Sequence, residues 1–172
     1  MRVSRPRCGI EVSASIVFEC RHFDALPVHD LYAMLALRSQ VFVVEQQCVY
    51  LDPDGLDVDA HHLFGYLDAS RSTLVGGVRI LPPGAVYDEA SIGRVVTAPA
   101  HRGTGIGRLL MRRAIDECTR LHPGAAIRIG AQQYLEAFYA DLAFVTVSEP
   151  YDEDGIMHVT MLRAADGGRL IG

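Results

Sequence analysis

Three glycines at alternate positions, preceded by an arginine, are the residues of this chain whose types and spacing most directly imply chemistry. The segment runs His101-Arg-Gly-Thr-Gly-Ile-Gly-Arg108. Glycine lets a backbone approach a ligand closely and turn its N–H groups toward it. A helix starting at this point adds the positive end of its dipole, so the ligand class is a phosphate or pyrophosphate. Arg94, Arg102, Arg108, Arg112 and Arg113 put five of the chain's 16 cationic side chains within 20 residues. Arg108 and Arg112 share a helix face, and guanidinium forks suit phosphate oxygens. Two common phosphate loops fail here. A dinucleotide G-x-G-x-x-G counted from Gly103 needs glycine where Arg108 stands. A Walker A loop needs lysine, and the 172 residues contain none.

The missing lysine also removes mechanisms that run through an enzyme Schiff base, pyridoxal chemistry included. Any bound phosphate must be held by backbone amides and arginine. With 21 acidic against 16 basic side chains the net charge is −5, which disfavours nonspecific nucleic-acid binding. The apolar fraction of 49% is that of a packed globular core, and the length suits one domain. Cys8, Cys20, Cys48 and Cys118 form no C-x-x-C pair, so a reducing cytoplasm is the expected location. Glu11 interrupts the only run resembling a secretory leader, and nothing approaches the ~18 apolar residues of a membrane span.

The elements that must position the glycine turn follow from periodicity. Leu31, Met34, Leu35, Leu37, Val41 and Phe42 recur at helical spacing between Leu26 and Val44. Asp52–Asp59 reads as an acidic loop. His62–Asp68 and Leu74–Leu81 read as a strand pair, and Ser91–Thr97 as a further strand stopped by Pro99. After the turn a helix runs to about Leu121, with Leu109, Leu110, Ile115 and Cys118 available to a core. Ala126–Ala131 is a short strand and Gln133–Leu142 a short helix. Phe144–Pro150 and His158–Arg163 make a last strand pair, with Asp154-Gly155 as a hairpin turn. The expected fold class is α/β (α+β), a mixed central sheet with helices on both faces. It occupies residues 15–163, with 1–14 a loose extension and 164–172 a tail.

With the other loops set aside, Arg102–Gly107 reads R-x-x-G-x-G. This resembles the acyl-CoA pyrophosphate signature of the GNAT N-acetyltransferase superfamily. The resemblance implies acetyl-CoA as donor, held by Arg102, Gly103, Thr104, Gly105, Ile106, Gly107 and Arg108. It also implies N–H groups at Val95, Val96 and Thr97 that stabilise charge developing on the acyl oxygen. Tyr139 falls where the family often has the tyrosine that protonates the departing thiolate, and Gln132 where a polar side chain touches the cofactor. Ala143 stands where glycine is usual, a change expected to matter little. A thiol with a pKa near ~8.5 is a stronger acid than tyrosine at ~10, so losing Tyr139 should damage catalysis rather than abolish it.

Leu37–Gln46, Tyr50–Asp57 with His61-His62, Ile92–Val95, Gly130–Gln132 and Tyr151–His158 together resemble the ElaA-type GNAT subgroup. The Arg38–Phe42 block with its acidic loop also resembles acyl-homoserine-lactone synthases, although the chain lacks the tryptophan usual there. The expected acceptor is a primary amine of a small molecule or peptide, attacked directly. A non-catalytic acyl-CoA sensor on the same fold is the other reading. Asp54, Arg94, Glu149 and His158 are the candidate acceptor contacts, the acidic loops acting as a solvated rim that attracts a cation. Glu45 is the first candidate base, with Glu149 and His158 next. No metal is expected. A calcium loop centred on Gly55 would begin at Tyr50 and end at His61, and His61 and His62 point to opposite faces of a strand. No G-x-S-x-G hydrolase elbow is present, and no cysteine sits in an activating context. No nucleic-acid or membrane partner is expected; a homodimer is compatible with these features.

Overall fold

A computed structural model describes residues 16–165. The extension expected over 1–14, and the 164–172 tail apart from Ala164 and Ala165, lie outside them. Eight strands form one mixed sheet: β1 Val17–His22, β2 His61–Tyr66, β3 Leu74–Leu81, β4 Ala90–Thr97, β5 Ile127–Gln132, β6 Val145–Thr146, β7 Tyr151–Glu153 and β8 Ile156–Arg163. Their order is β1-β2-β3-β4-β5-β8-β6, with β7 also on β8. All neighbours are antiparallel except β4 and β5.

Three helices cover the sheet: α1 Val28–Arg38, α2 Ile106–Leu121 and α3 Glu136–Ala140. Adjacent glycines on β3 show that α1 and α2 lie on opposite faces, since successive strand residues point to opposite sides. A Cβ on Gly76 would fall 2.5 Å from a Leu110 methyl of α2, whereas one on Gly77 would collide with Met34 of α1. Met34, Leu37 and Val41 pack with Phe64, Tyr66 and Val96. Leu110, Met111, Ala114, Ile115 and Cys118 pack with Leu63, Val75, Ile80, Ile127 and Ile129, and Tyr139 and Phe144 join that larger core. Leu109, expected inside, is 46% exposed; the buried stripe runs through its neighbour Leu110 instead. α1 passes into a π-helical turn over Ser39–Glu45, closed by Gln46 N–H to Val41 O at 3.1 Å.

Two strands differ from expectation. β1 was not legible, because all six of its residues are half-buried and its partner β2 lies some 40 residues along the chain. The segment Phe144–Pro150 does pair with β8, but only through β6 Val145–Thr146, and the strand across the hairpin turn from β8 is β7. That turn has the expected chemistry, with positive φ at both Asp154 (54°) and Gly155 (81°), as a type I′ turn requires.

Ala143 also corrects an expectation. It sits at φ 66°, in the left-handed cap of α3, with Phe144 N–H on Tyr139 O at 3.2 Å and Ala143 N–H on Ala140 O at 3.0 Å. This is the Schellman arrangement, in which glycine is favoured because a Cβ costs roughly 1–2 kcal/mol there. Ala143→Gly is therefore expected to raise unfolding free energy by about 1 kcal/mol, measured by urea denaturation, since nothing else about the cap changes.

Candidate active site

β4 and β5 are paired only at Ala90–Ile127 and Ser91–Arg128. Beyond that rung β4 stays with β3 and β5 with β8, so the sheet splays open. A β-bulge drives the divergence. Gly77 pairs with Val96 but Arg79 with Gly93, which leaves one extra residue on β4 around Arg94. Arg94 takes φ 50°, a conformation that a non-glycine residue adopts at a cost. The bulge flips the strand: Ile92 belongs to the α2-side core and Val96 to the α1-side core. Ala98 N–H donates to Val75 O at 2.9 Å. Alternation along an antiparallel strand therefore turns the Thr97 N–H the other way, into the splay.

The splay opens into a cleft of about 690 Å³ that reaches both faces of the sheet. Val95, Val96, Thr97, Arg102, Gly107, Gln132 and Tyr139 line it, and so do Glu45, Asp54, Arg94 and His158. Glu149 does not; it is exposed on the connection from β6 to β7. Gly103, Thr104, Gly105, Ile106 and Arg108 lie beyond the lining, where α2 begins. Gly103 has φ 73° and Gly105, the residue before α2, φ 86°, and the helix has no side-chain cap. Among the described residues the N–H groups of Gly103 to Gly107 donate to nothing, and an added Cβ at Gly103 or Gly105 meets no atom within 4 Å. Such an open row of amides at a helix start fits a pyrophosphate.

The surrounding arginines are less free than their number suggests. Arg102 forks onto Glu45, with Nη2 3.1 Å from Oε2, and its Nε donates to Thr97 O at 3.3 Å. Arg108 pairs with Asp141 at 2.9 Å and lies over the Phe138 ring. Arg113 holds Glu117 at 2.7 Å. Of the five in the basic stretch, Arg112 alone has no ion-pair partner among the described residues.

Tyr139 is 7% exposed, edge-on to Phe138 and Phe144, and its hydroxyl has no hydrogen-bond partner among the described residues. Burial, then the nearby Tyr134, pushes its pKa up to about 12, so it stays protonated at neutral pH. Gln132 accepts from the Tyr134 hydroxyl, and its amide lies 3.5 Å from Gln46. His158 stands beside Gln132 on β8 and stacks on Tyr151 of β7. Its Nδ1 lies 2.8 Å from Ile156 O. A carbonyl can only accept, so Nδ1 carries the hydrogen and Nε2 keeps its lone pair in the neutral ring. Glu45 is drawn below the ordinary carboxylate range, first by the hydrogen bond from Arg102.

The acidic loop is not a solvated rim. Asp52 and Asp57 are buried on Arg38, with Nε–Oδ2 of 2.8 Å and Nη1–Oδ1 of 2.7 Å. Arg79 binds both oxygens of Asp54 at 2.6 and 2.8 Å, and reaches Asp57 at 3.3 Å. Arg94 ties the bulge to Asp52 at 2.9 Å and to Asp54 at 3.1 Å. Burial is the largest single influence and would raise the Asp54 pKa, but the Arg79 hydrogen bonds, the Leu56 N–H and the charges of Arg79 and Arg94 together outweigh it and bring it to about 2. Three aspartates on the loop thus meet arginines from α1, β3 and β4, and the charge available to attract an amine is spent within the fold. The sequence carried one signal of this: Arg38 falls on the apolar stripe Met34, Leu37, Val41, where a cation needs a buried partner. Tyr151 and Gly130 stood within the subgroup segments but carried no expected site role. A Cβ at Gly130 would fall 3.2 Å from the Tyr151 hydroxyl, so the glycine makes room for that ring.

Comparison with known proteins agrees with this geometry. Residues 59–164, more than half the chain, match the acetyltransferase (GNAT) domain model. ElaA of Escherichia coli is 41% identical over 144 residues, covering 83% of this chain and 92% of that protein. A crystal structure of an acyl-CoA N-acyltransferase from Pseudomonas aeruginosa superposes with a TM-score of 0.82 at 41% identity, over 87% of this chain and all of that one. The ElaA crystal structure gives 0.79 at 39% identity, over 86% of this chain and 99% of that one. The splayed mixed sheet, the uncapped glycine turn and these likenesses converge: the chain belongs to the GNAT acetyltransferase family, with ElaA among its homologues.

Proposed function

We propose that the protein is an acetyl-CoA-dependent N-acetyltransferase that acylates a primary amine of a small molecule or peptide within a ternary complex. The observation that carries this reading is the splay. It brings the unpartnered hydroxyl of a tyrosine with a buried ring and a strand N–H to one cleft, beside a helix start whose amides donate to nothing. Acetyl-CoA supplies an activated thioester. The Gly103–Gly107 amides receive its pyrophosphate, with Arg102 and Arg108 as the adjacent cations and Gln132 alongside. Thr97 offers its backbone N–H to the acyl oxygen, where charge develops, whereas the Val96 N–H turns toward β3, where Val96 pairs with Gly77. Tyr139 donates to the departing sulfur as the carbon–sulfur bond breaks. The surplus proton on the acceptor nitrogen goes to a base. Glu45 is weakened for that task by Arg102, so His158 Nε2 takes the role, and solvent restores both groups. A cytoplasmic location goes with an acyl-CoA donor and with free thiols at Cys20, Cys48 and Cys118.

The test is thiol release from acetyl-CoA across a panel of primary amines. Release that depends on the amine supports the reading; tight CoA binding with no amine-dependent release overturns it in favour of a sensor. Gly107 offers a separate check on the cofactor site. An added Cβ there meets only Thr97 Oγ1 at 3.6 Å, and alanine gains up to about 1 kcal/mol of helix propensity. Gly107→Ala should therefore fold at least as stably as the parent while binding CoA about tenfold more weakly, as calorimetric titration would read.

A further inference from the structure

Seven charged side chains line the cleft: Arg79, Arg94 and Arg102, and Glu45, Asp54, Glu153 and Asp154. Glu45 is held by Arg102, and Asp54 by Arg79 and Arg94. Glu153 and Asp154, at the tip of the β7–β8 hairpin, have no ion-pair partner among the described residues. Both are exposed at the cleft mouth.

The hairpin register fixes where these carboxylates stand relative to the reacting end. Tyr151 pairs with His158 and Glu153 with Ile156, and directly opposed residues share a face. Glu153 therefore projects from the same face as His158, two residues further out. At ~3.4 Å per residue this is about 7 Å along the strand. His158, with a free Nε2 lone pair in its neutral ring, and the unpartnered hydroxyl of the buried Tyr139 line the same cleft. Carboxylates favour the ammonium form of an amine, and among the described residues Glu153 and Asp154 are the two cleft carboxylates that no arginine neutralises. One cleft thus offers a base for a reacting amine at His158 and, about 7 Å outward, a place for a cation.

We propose that the acceptor is an aliphatic diamine or polyamine, one nitrogen reacting beside His158 while a second, protonated nitrogen is held by Glu153 and Asp154. The proposal rests on the N-acetyltransferase reading and names its substrate class. The covalent step is amide formation at the inner nitrogen: its bond to the acyl carbon forms, the carbon–sulfur bond breaks, sulfur takes a proton from Tyr139 and His158 Nε2 takes one from nitrogen. The outer nitrogen stays protonated throughout. A monoacetylated product follows, because its amide no longer carries the charge that the hairpin tip selects.

The test compares putrescine and cadaverine with butylamine and pentylamine at saturating acetyl-CoA. The diamines should show kcat/KM about tenfold higher, mainly through KM, as expected for two exposed carboxylates acting on one cation. Combining Glu153→Gln with Asp154→Asn should remove most of that preference, and raised ionic strength should erode it. Equal turnover of diamines and monoamines, or a preference that survives the double variant, overturns the proposal and leaves the N-acetyltransferase reading in place. Failure of every amine to accept acetyl from a protein that binds CoA overturns both.

Discussion

Tyr139→Phe is expected to lower kcat about 10²-fold while CoA affinity and stability stay at parental values. The hydroxyl has no internal partner, so its removal leaves no orphaned group in the fold. The ring keeps its edge-on contacts with Phe138 and Phe144, and these, not the oxygen, anchor it. With a pKa of about 12 the hydroxyl is a reservoir of hydrogen-bond donation rather than a strong acid. Its loss should therefore slow departure of the sulfur and leave acceptor KM largely unchanged. Steady-state kinetics with acetyl-CoA and a turned-over amine would check this, beside a thermal melt. An unaltered kcat removes Tyr139 from the mechanism; a lower melting temperature assigns it to packing.

Arg38→Met carries the largest expected effect on stability, a loss of about 3–5 kcal/mol. Methionine preserves most of the volume, so the loss isolates charge. Asp52 and Asp57, at 2% and 6% exposure, lose the cation that both contact. Asp52, Asp54 and Asp57 are left with only Arg79 and Arg94, and a buried carboxylate short of its cation is costly. A domain of this size typically has 5–15 kcal/mol in hand, so the variant stands near its threshold. Urea denaturation should show a lower midpoint at unchanged slope. Adding Asp57→Asn should recover part of the loss, because removing both members of a buried pair is milder than removing one. Asp52 also holds Arg94 at the β4 bulge. A folded Arg38→Met protein should therefore lose turnover as well, since the bulge aims Thr97.

What the sequence disclosed and what it hid divide along physical lines. Local backbone demands were legible. The glycines at 103 and 105 occupy the left-handed positions that only glycine takes easily, and Asp154-Gly155 makes the turn its residue types imply. The periodicity of α1 and α2 was legible too, because an apolar stripe repeats within a few residues. Pairing between distant segments was not. The Asp52–Asp57 loop has the composition of a solvated turn, and its arginines come from residues 14 to 42 positions away. Leu109 and Leu110 are equivalent by type, and only the tilt of α2 on the sheet decides which is buried. Ala143 shows the opposite limit. The departure from glycine was visible, but its strain depends on a φ that composition cannot supply. Within the cleft, the glycine turn stood out by its spacing and Gln132 and Tyr139 by the family resemblance, whereas Glu153 and Asp154 matter only because the other charges lining the cleft are already paired.

Hydrogen–deuterium exchange with and without CoA tests most directly where the cofactor is held. At saturating CoA, exchange should slow in the peptides that contain Thr97 and Gly103–Arg108, with a smaller change near Gln132. The Asp52–Asp57 loop, already closed by its own arginines, should be unaffected. Protection that appears elsewhere while the Gly103–Gly107 amides exchange as fast as in the free protein would contradict a cofactor cradled at the start of α2.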